Sequence, residues 1–226
     1  MNQRAPLPPV PPSVPEWLRP LADIAGSVQP ERLSPRFPHP PADARPAAVL
    51  LLFSDGERGP EILLTERATT LRQHAGQVSF PGGRVDPGDG VGNEGFIAAA
   101  LREAQEEVGL DPAGVDVFGT LPTLWLPPSN FAVAPVLAYW REPQMLQPVS
   151  VAEVRTVLHQ PIDELLDPDR RFTVIHPMGW RGPAFDVGTP VPLWGFTAGI
   201  VSRLFEVVGW ERPWDASVER ELPTPS

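Results

Sequence analysis

Gly88-Asp-Gly-Val-Gly-Asn-Glu94-Gly-Phe-Ile-Ala-Ala-Ala-Leu-Arg102-Glu103-Ala-Gln-Glu106-Glu107-Val-Gly109-Leu110 is the stretch on which the reading of this chain turns. At about 100° per residue, Ile97, Leu101, Ala104 and Val108 fall within an arc of about 60°, a seam suited to lie on a sheet. Spacings of three and four set the carboxylates of Glu103, Glu106 and Glu107 over adjacent turns on the other side. Gly109 supplies the stop expected at a helix end. Three like charges so close repel, so something cationic is expected among them. A hard divalent ion, magnesium or manganese, suits such a place because it takes carboxylate oxygens and can bridge phosphate oxygens at the same time. On the helix alone, a solvated acidic face with Arg102 as surface decoration accounts for the residues equally well.

Upstream of the helix, Ala48 to Phe53 is an apolar run that stops at the turn Ser54-Asp55-Gly56, and Ile62 to Thr65 is a second one. Both read as strands, expected to pair. Arg72 to Gly76 reads as loop, Val78 to Phe80 as a short extended piece, and Pro81-Gly82-Gly83 as a turn. Downstream, Val115 to Leu121, Phe131 to Tyr139 and Phe172 to Ile175 read as strands, Ile162 to Leu166 as a short helix and Thr197 to Val208 as an amphipathic one. Strands and helices mixed without regular alternation predict a single α+β or α/β/α domain. Of the 32 prolines, 13 precede Ala47. The expected organisation is a proline-rich arm over 1–45, a domain over 46–215 and a tail over 216–226. Within the arm, Trp17, Leu18, Leu21 and Ile24 have helical spacing, with Pro20 in the first turn.

Composition excludes several chemistries. There is no cysteine, so disulfides, thiolate metal sites and thiol nucleophiles are absent, which is compatible with a cytoplasmic protein. No apolar run reaches the roughly 18 residues of a membrane span, and the N-terminus carries no secretory pattern. The net charge of −10 offers no general basic field for nucleic acid. Every one of the 18 basic residues is arginine, so a lysine-bearing phosphate loop is ruled out and phosphate contacts by cationic side chains fall to arginine forks or histidine.

The quoted stretch resembles the Nudix box, G-x5-E-x7-R-E-U-x-E-E-x-G-U with U aliphatic, from Gly88 through Leu110. Ahead of it, Leu63, Leu64, Thr65, Arg67, Ala68, Arg72, Gly76, Phe80, Pro81, Gly82 and Gly83 resemble the signature of coenzyme A pyrophosphatases, L-L-T-x-R-[SA]-x3-R-x3-G-x3-F-P-G-G. Pro128 to Pro135 and Pro192 to Gly199 also look like that family, so the likeness runs roughly from Ala47 to Trp214. One departure is a lengthened loop: in the family pattern Gly82-Gly83 itself begins the box, whereas here Gly88 holds the box spacing.

The resemblance implies an α+β, Nudix-type α/β/α sandwich with a mixed sheet, and a magnesium- or manganese-dependent hydrolase cutting the diphosphate of coenzyme A or a derivative. Products would be 3′,5′-ADP and 4′-phosphopantetheine or its acyl form. Carried over by position, Glu103, Glu106 and Glu107 are the metal ligands, Glu103 or Glu107 also serving catalysis, while Arg102 orients the carboxylates. Glu153 is a candidate base from a later loop. Arg67 and Arg72, with Gly82 and Gly83, are the candidate substrate-binding set, since an acidic protein needs local arginine to receive a polyanion. The expected partner is a small molecule, with neither nucleic acid nor membrane, and a homodimer is allowed. The alternatives are a Nudix hydrolase of another nucleoside diphosphate-linked substrate such as ADP-ribose, and a non-catalytic nucleotide-binding module.

Gly90, Gly92 and Gly95 also spell G-x-G-x-x-G ahead of a helix, with Asp116 downstream, the letters of a dinucleotide fingerprint. That reading needs a buried parallel strand leading into the first glycine, which the polar Gly83 to Asp89 does not supply. His39, His74, His159 and His176 lack zinc-ligand spacing. Trp194, Trp210 and Trp214 are expected to pack the last helix rather than meet a ligand.

Overall fold

The computed structural model describes residues 10–70 and 75–223. Its helices are α1 (Arg19–Ala25), α2 (Pro30–Leu33), α3 (Gly92–Val108), α4 (Ile162–Leu165) and α5 (Gly195–Val207). Its strands are β1 (Arg45–Gly56), β2 (Gly59–Arg67), β3 (Val78–Ser79), β4 (Gly82–Arg84), β5 (Val115–Thr120), β6 (Leu124–Leu126), β7 (Phe131–Trp140), β8 (Val154–Pro161), β9 (Arg171–Ile175), β10 (Arg181–Phe185) and β11 (Glu219–Glu221). The class is mixed α+β, as the sequence predicts. The chain divides into two compact units: one comprises residues 1–54, 81–106 and 110–144, the other 55–80, 107–109 and 145–226.

The first unit holds a mixed sheet. β1 runs parallel to β7 over nine aligned pairs, from Arg45 opposite Phe131 to Phe53 opposite Tyr139. β5 and β6 are antiparallel to β7, and β4 is antiparallel to β1. Leu50, Leu51, Leu52 and Phe53 are all buried, so β1 has no solvent face, which is why it reads as a continuous apolar run rather than an alternating one. Pro20 sits in the first turn of α1, where a missing N–H costs nothing. Leu18, Leu21 and Ala25 are buried, and Trp17 meets the edge of the Phe53 ring. A Cβ on Gly119 of β5 would lie 2.6 Å from the Ala25 methyl, so this glycine admits the helix.

In the second unit β2 is antiparallel to both β3 and β8. A separate three-stranded sheet has the order β10-β9-β11, with α5 packed on β10. Trp194 stacks on Trp180 and His176 beside the buried Phe172, Val174 and Ala184, and Trp210 lies against Phe205 of α5. These tryptophans therefore have packing roles. Among the described residues no helix is long and apolar enough to cross a membrane.

Candidate active site

The loop from Arg84 into α3 is built by local polar chemistry. Asp86 and Asp89 cap each other across the 3-10 turn Pro87–Asp89, each side chain accepting from the other's backbone N–H. Gly90 and Gly92 follow with φ of +95° and +63°. Gly95 then packs onto the Gly90 carbonyl, where a Cβ would come within 2.7 Å of the oxygen. The G-x-G-x-x-G letters thus serve a tight helix entry. The strand before them, β4, is three residues long and antiparallel to its neighbour, which removes the dinucleotide-fold reading.

α3 is rich in alanine, a strong helix former, and ends where Gly109 takes φ of +73°. Past that stop the Leu110 N–H reaches back to the Ala104 carbonyl at 3.5 Å. The buried face differs from the seam expected from periodicity. Ala104 and Val108 are buried, but Ile97 and Leu101 are only half-buried, while Ala99, Ala100 and Glu107 are buried. The helix is rolled so that its alanine side faces inward, and it takes Glu107 with it.

Arg102 is the hub. Its Nε and Nη2 donate to the two oxygens of Asp89 at 3.0 Å each, its Nη2 also donates to the Arg84 carbonyl at 2.9 Å, and its Nη1 donates to Glu103 at 3.0 Å and to Glu106 at 3.3 Å. Asp86 stands farther off, at 3.8 Å. Hydrogen bonds from Arg102 hold the Asp89 carboxyl below the usual carboxylate range, despite the opposing effect of burial. Asp89 in turn raises the Arg102 pKa further. Glu94, the box glutamate ahead of the arginine, is exposed and is not among Arg102's partners.

Gly82 and Gly83 were expected in a turn and instead form β4. The reason is space: a Cβ on Gly82 would lie 2.3 Å from the Ala48 carbonyl oxygen, and one on Gly83 would lie 2.4–2.6 Å from the Glu103 carboxyl group. Glu103 therefore rests its carboxylate over bare backbone. The three glutamates differ in exposure: the Glu106 side chain is 59% exposed, that of Glu103 18%, and Glu107 is 3% exposed as a residue. The Glu107 carbonyl accepts from the Val149 N–H at 2.9 Å.

In the second unit, the Arg67 backbone N–H donates to Gln77 and its carbonyl accepts from Gly76. Its side-chain Nε is buried with no hydrogen-bond partner among the described residues. The Ala68 N–H donates to the Glu153 carbonyl at 2.8 Å, bringing Glu153, exposed just ahead of β8, beside the end of β2. Arg72 and His74 lie outside the described residues. The residues that sequence reasoning missed are Asp89 and the Arg84 carbonyl. Asp89 carried a legible signal, since Asp86-Pro87-Gly88-Asp89 is a turn with capping potential and, counted from Gly83, Asp89 falls at the acidic position of the G-x5-E spacing, but the stretch from it to Arg102 is longer than the box pattern.

Among the described residues no group of three acidic or histidine side chains is drawn tightly enough to enclose a metal ion. The donor chemistry fits a hard divalent cation all the same. Glu103 and Glu106 offer only oxygen, and both already converge on one cationic nitrogen.

The chain matches the NUDIX domain over residues 43–173, from just ahead of β1 into β9. It is 40% identical over 192 residues to the uncharacterized Nudix hydrolase NudL of Cronobacter sakazakii, an alignment covering 80% of this chain and 91% of that protein. NudL of Citrobacter koseri is 40% identical over 171 residues, covering 73% of this chain and 83% of the relative. Among solved structures, the Nudix hydrolase RenU from M. smegmatis shares the fold, with a TM-score of 0.52 at 22% identity over 76% of this chain and 90% of that one. The matched span contains the whole of α3 and its arginine hub, and the chain belongs to the Nudix hydrolase family.

Proposed function

We propose that the protein cleaves the diphosphate of coenzyme A or one of its derivatives, releasing 3′,5′-ADP and 4′-phosphopantetheine or its acyl form. The observation that carries the hydrolytic part is the convergence of Glu103 and Glu106 on Arg102 above the bare backbone of Gly83. The substrate part is supported by the likeness of Leu63 to Gly83 to coenzyme A pyrophosphatases and by Arg67 on β2, whose buried Nε has no hydrogen-bond partner among the described residues. Residues 46–215 are assigned as the catalytic domain, flanked by 1–45 and 216–226.

Nudix hydrolases generally need a divalent cation. Glu103, Glu106 and Glu107 are the residues that would hold magnesium or manganese, which when bound offsets the charge of the diphosphate and makes water more acidic. The oxygen of water forms a bond to one phosphorus, the bridging P–O bond breaks, and the proton of the attacking water passes to a carboxylate. Glu103 is the first candidate for that proton and Glu153 the second. Arg67 and Arg72 receive phosphate oxygens through forked hydrogen bonds. Replacement of Arg67 by alanine is expected to raise the KM for coenzyme A about tenfold while changing kcat less. An unchanged KM removes Arg67 from the substrate site. Preference for ADP-ribose over coenzyme A in the same assay moves the substrate and leaves the arginine hub in place.

A further inference from the structure

Arg45 opens β1, Phe131 opens β7 and Arg84 closes β4, all within the first unit. Arg45 stands opposite Phe131 in the parallel pair, and Arg84 stands opposite Ala47 in the antiparallel one. Alternation puts Arg45 and Ala47 on one side of β1, so the two arginines and the phenylalanine share one face at one end of the sheet. Both guanidiniums lie on the same ring, the Arg45 carbon 4.3 Å and the Arg84 carbon 5.7 Å from its centroid. The Arg45 Nη2 also donates to the Ser129 carbonyl at 2.6 Å. Arg19, Arg102 and Arg141 of the same unit each meet a carboxylate, whereas neither Arg45 nor Arg84 forms an ion pair among the described residues. Asp43, close in sequence to Arg45, accepts from Asn130 instead, at 3.3 Å. In a chain of net charge −10, two exposed cations held on one ring without a carboxylate repel each other, and an anionic ligand relieves that repulsion.

We infer that Arg45 and Arg84, held on Phe131, form the subsite that receives the 3′-phosphate on the ribose of the substrate, and so set a preference for 3′-phosphorylated nucleotides. The inference rests on the reading of the substrate as coenzyme A or a derivative, in which one ribose carries both the 5′-diphosphate and the 3′-phosphate. Arg84 links the subsite to the hydrolytic carboxylates: it follows Gly83, against which the Glu103 carboxyl group rests, and its own carbonyl accepts from Arg102 at 2.9 Å. The two phosphate groups of one sugar thus fall to adjacent residues of β4. A phosphate monoester suits the pair because its three terminal oxygens accept from more than one guanidinium at once, and because the ring holds the planar forks in place beforehand. ADP-ribose has the diphosphate but lacks this phosphate, so the pair separates the two substrate classes.

The test measures hydrolysis of coenzyme A and of 3′-dephospho-coenzyme A by the full chain with magnesium, for wild type, Arg45→Gln, Arg84→Gln and Arg203→Gln. Beside it, calorimetry without metal follows the binding of 3′,5′-ADP and of 5′-AMP to the same proteins. Wild type is expected to favour the 3′-phosphorylated member of each pair about 10- to 100-fold, in kcat/KM and in Kd. Arg45→Gln and Arg84→Gln are each expected to cut that ratio about tenfold. Arg203→Gln, which removes the same charge from α5, is expected to keep the wild-type ratio. Melting curves establish folding, and Arg84→Gln, whose side chain makes no hydrogen bond among the described residues, carries the test if Arg45→Gln does not fold. A wild-type preference below about twofold, or ratios in the folded Arg45 and Arg84 variants within about twofold of wild type, overturns the inference. An equal fall in Arg203→Gln also overturns it. A wild-type chain that cleaves neither form of coenzyme A fails the substrate reading instead; 3′,5′-ADP against 5′-AMP then decides the inference by itself, and binding of neither nucleotide overturns it.

Discussion

A methyl group at Gly83 would lie 2.4–2.6 Å from the Glu103 carboxyl atoms, whereas one at Gly82 would meet the Ala48 carbonyl oxygen at 2.3 Å with φ at +151°. The neighbours decide the outcome. The Glu103 carboxylate, though it accepts from Arg102, is the far end of a flexible side chain and can shift, so Gly83→Ala is expected to melt within about 2 °C of wild type yet lose most of its hydrolytic rate, because the displaced group is the candidate metal ligand and base. Backbone cannot swing aside, and the Gly82 conformation is nearly closed to other residues. Gly82→Ala is therefore expected to lose about 1–3 kcal/mol from backbone conformation, before the clash is counted. Thermal melts and rates on the two variants check the contrast. Equal melting temperatures for both would contradict the geometry.

Helix α3 is the element in which local rules and function meet. Its stop at Gly109 has φ of +73°, and a Cβ there would also press to 3.2 Å from a Val149 methyl. Gly109→Ala is expected to cost about 1 kcal/mol and lower the melting temperature by about 2–4 °C; a neutral result would mean that the helix end relaxes. The helix and its stop were legible in the sequence because alanine content, carboxylate spacing and a terminal glycine agree. Its roll was not. Periodicity favours the bulkier Ile97 and Leu101, while contact at close range selects the alanines and carries Glu107 inward with them. The strands with continuous apolar runs, β1 and β7, were legible for the same reason that they are buried. β8 mixes Arg155, His159 and Gln160 with its apolar residues, and β10 contains Gly182 and Pro183, so neither shows the alternation of a half-buried strand. At the candidate site the glutamates and Arg102 could be read from their spacing. The link from Asp89 to Arg102 could not, because it crosses 13 residues and depends on how the loop folds back.

For the whole molecule, charge is the governing quantity. A chain with net charge −10 and no lysine relies on arginine side chains for its ion pairs apart from those of histidine, and Asp89 with Arg102 is a well-buried one beside the candidate site. Because the folded pKa of Asp89 is lowered, the pair stabilises the fold fully above the unfolded carboxylate value of about 3.9, and that contribution is lost as pH falls through the lower folded value. The stability difference between wild type and Asp89→Asn is thus expected to stay constant from neutral pH down to about pH 4 and to shrink below it. A difference that does not change in acid would contradict the pairing.

The most direct measurement is product analysis after incubating the full chain with coenzyme A and magnesium or manganese, beside a chelator control and Glu107→Gln. The account predicts 3′,5′-ADP and 4′-phosphopantetheine in the complete reaction, none with chelator, and a rate lowered about 100-fold by the substitution. Coenzyme A left intact while ADP-ribose is cleaved would contradict the assigned substrate. Cleavage that survives both the chelator and Glu107→Gln would contradict the carboxylate-held metal on which the whole account depends.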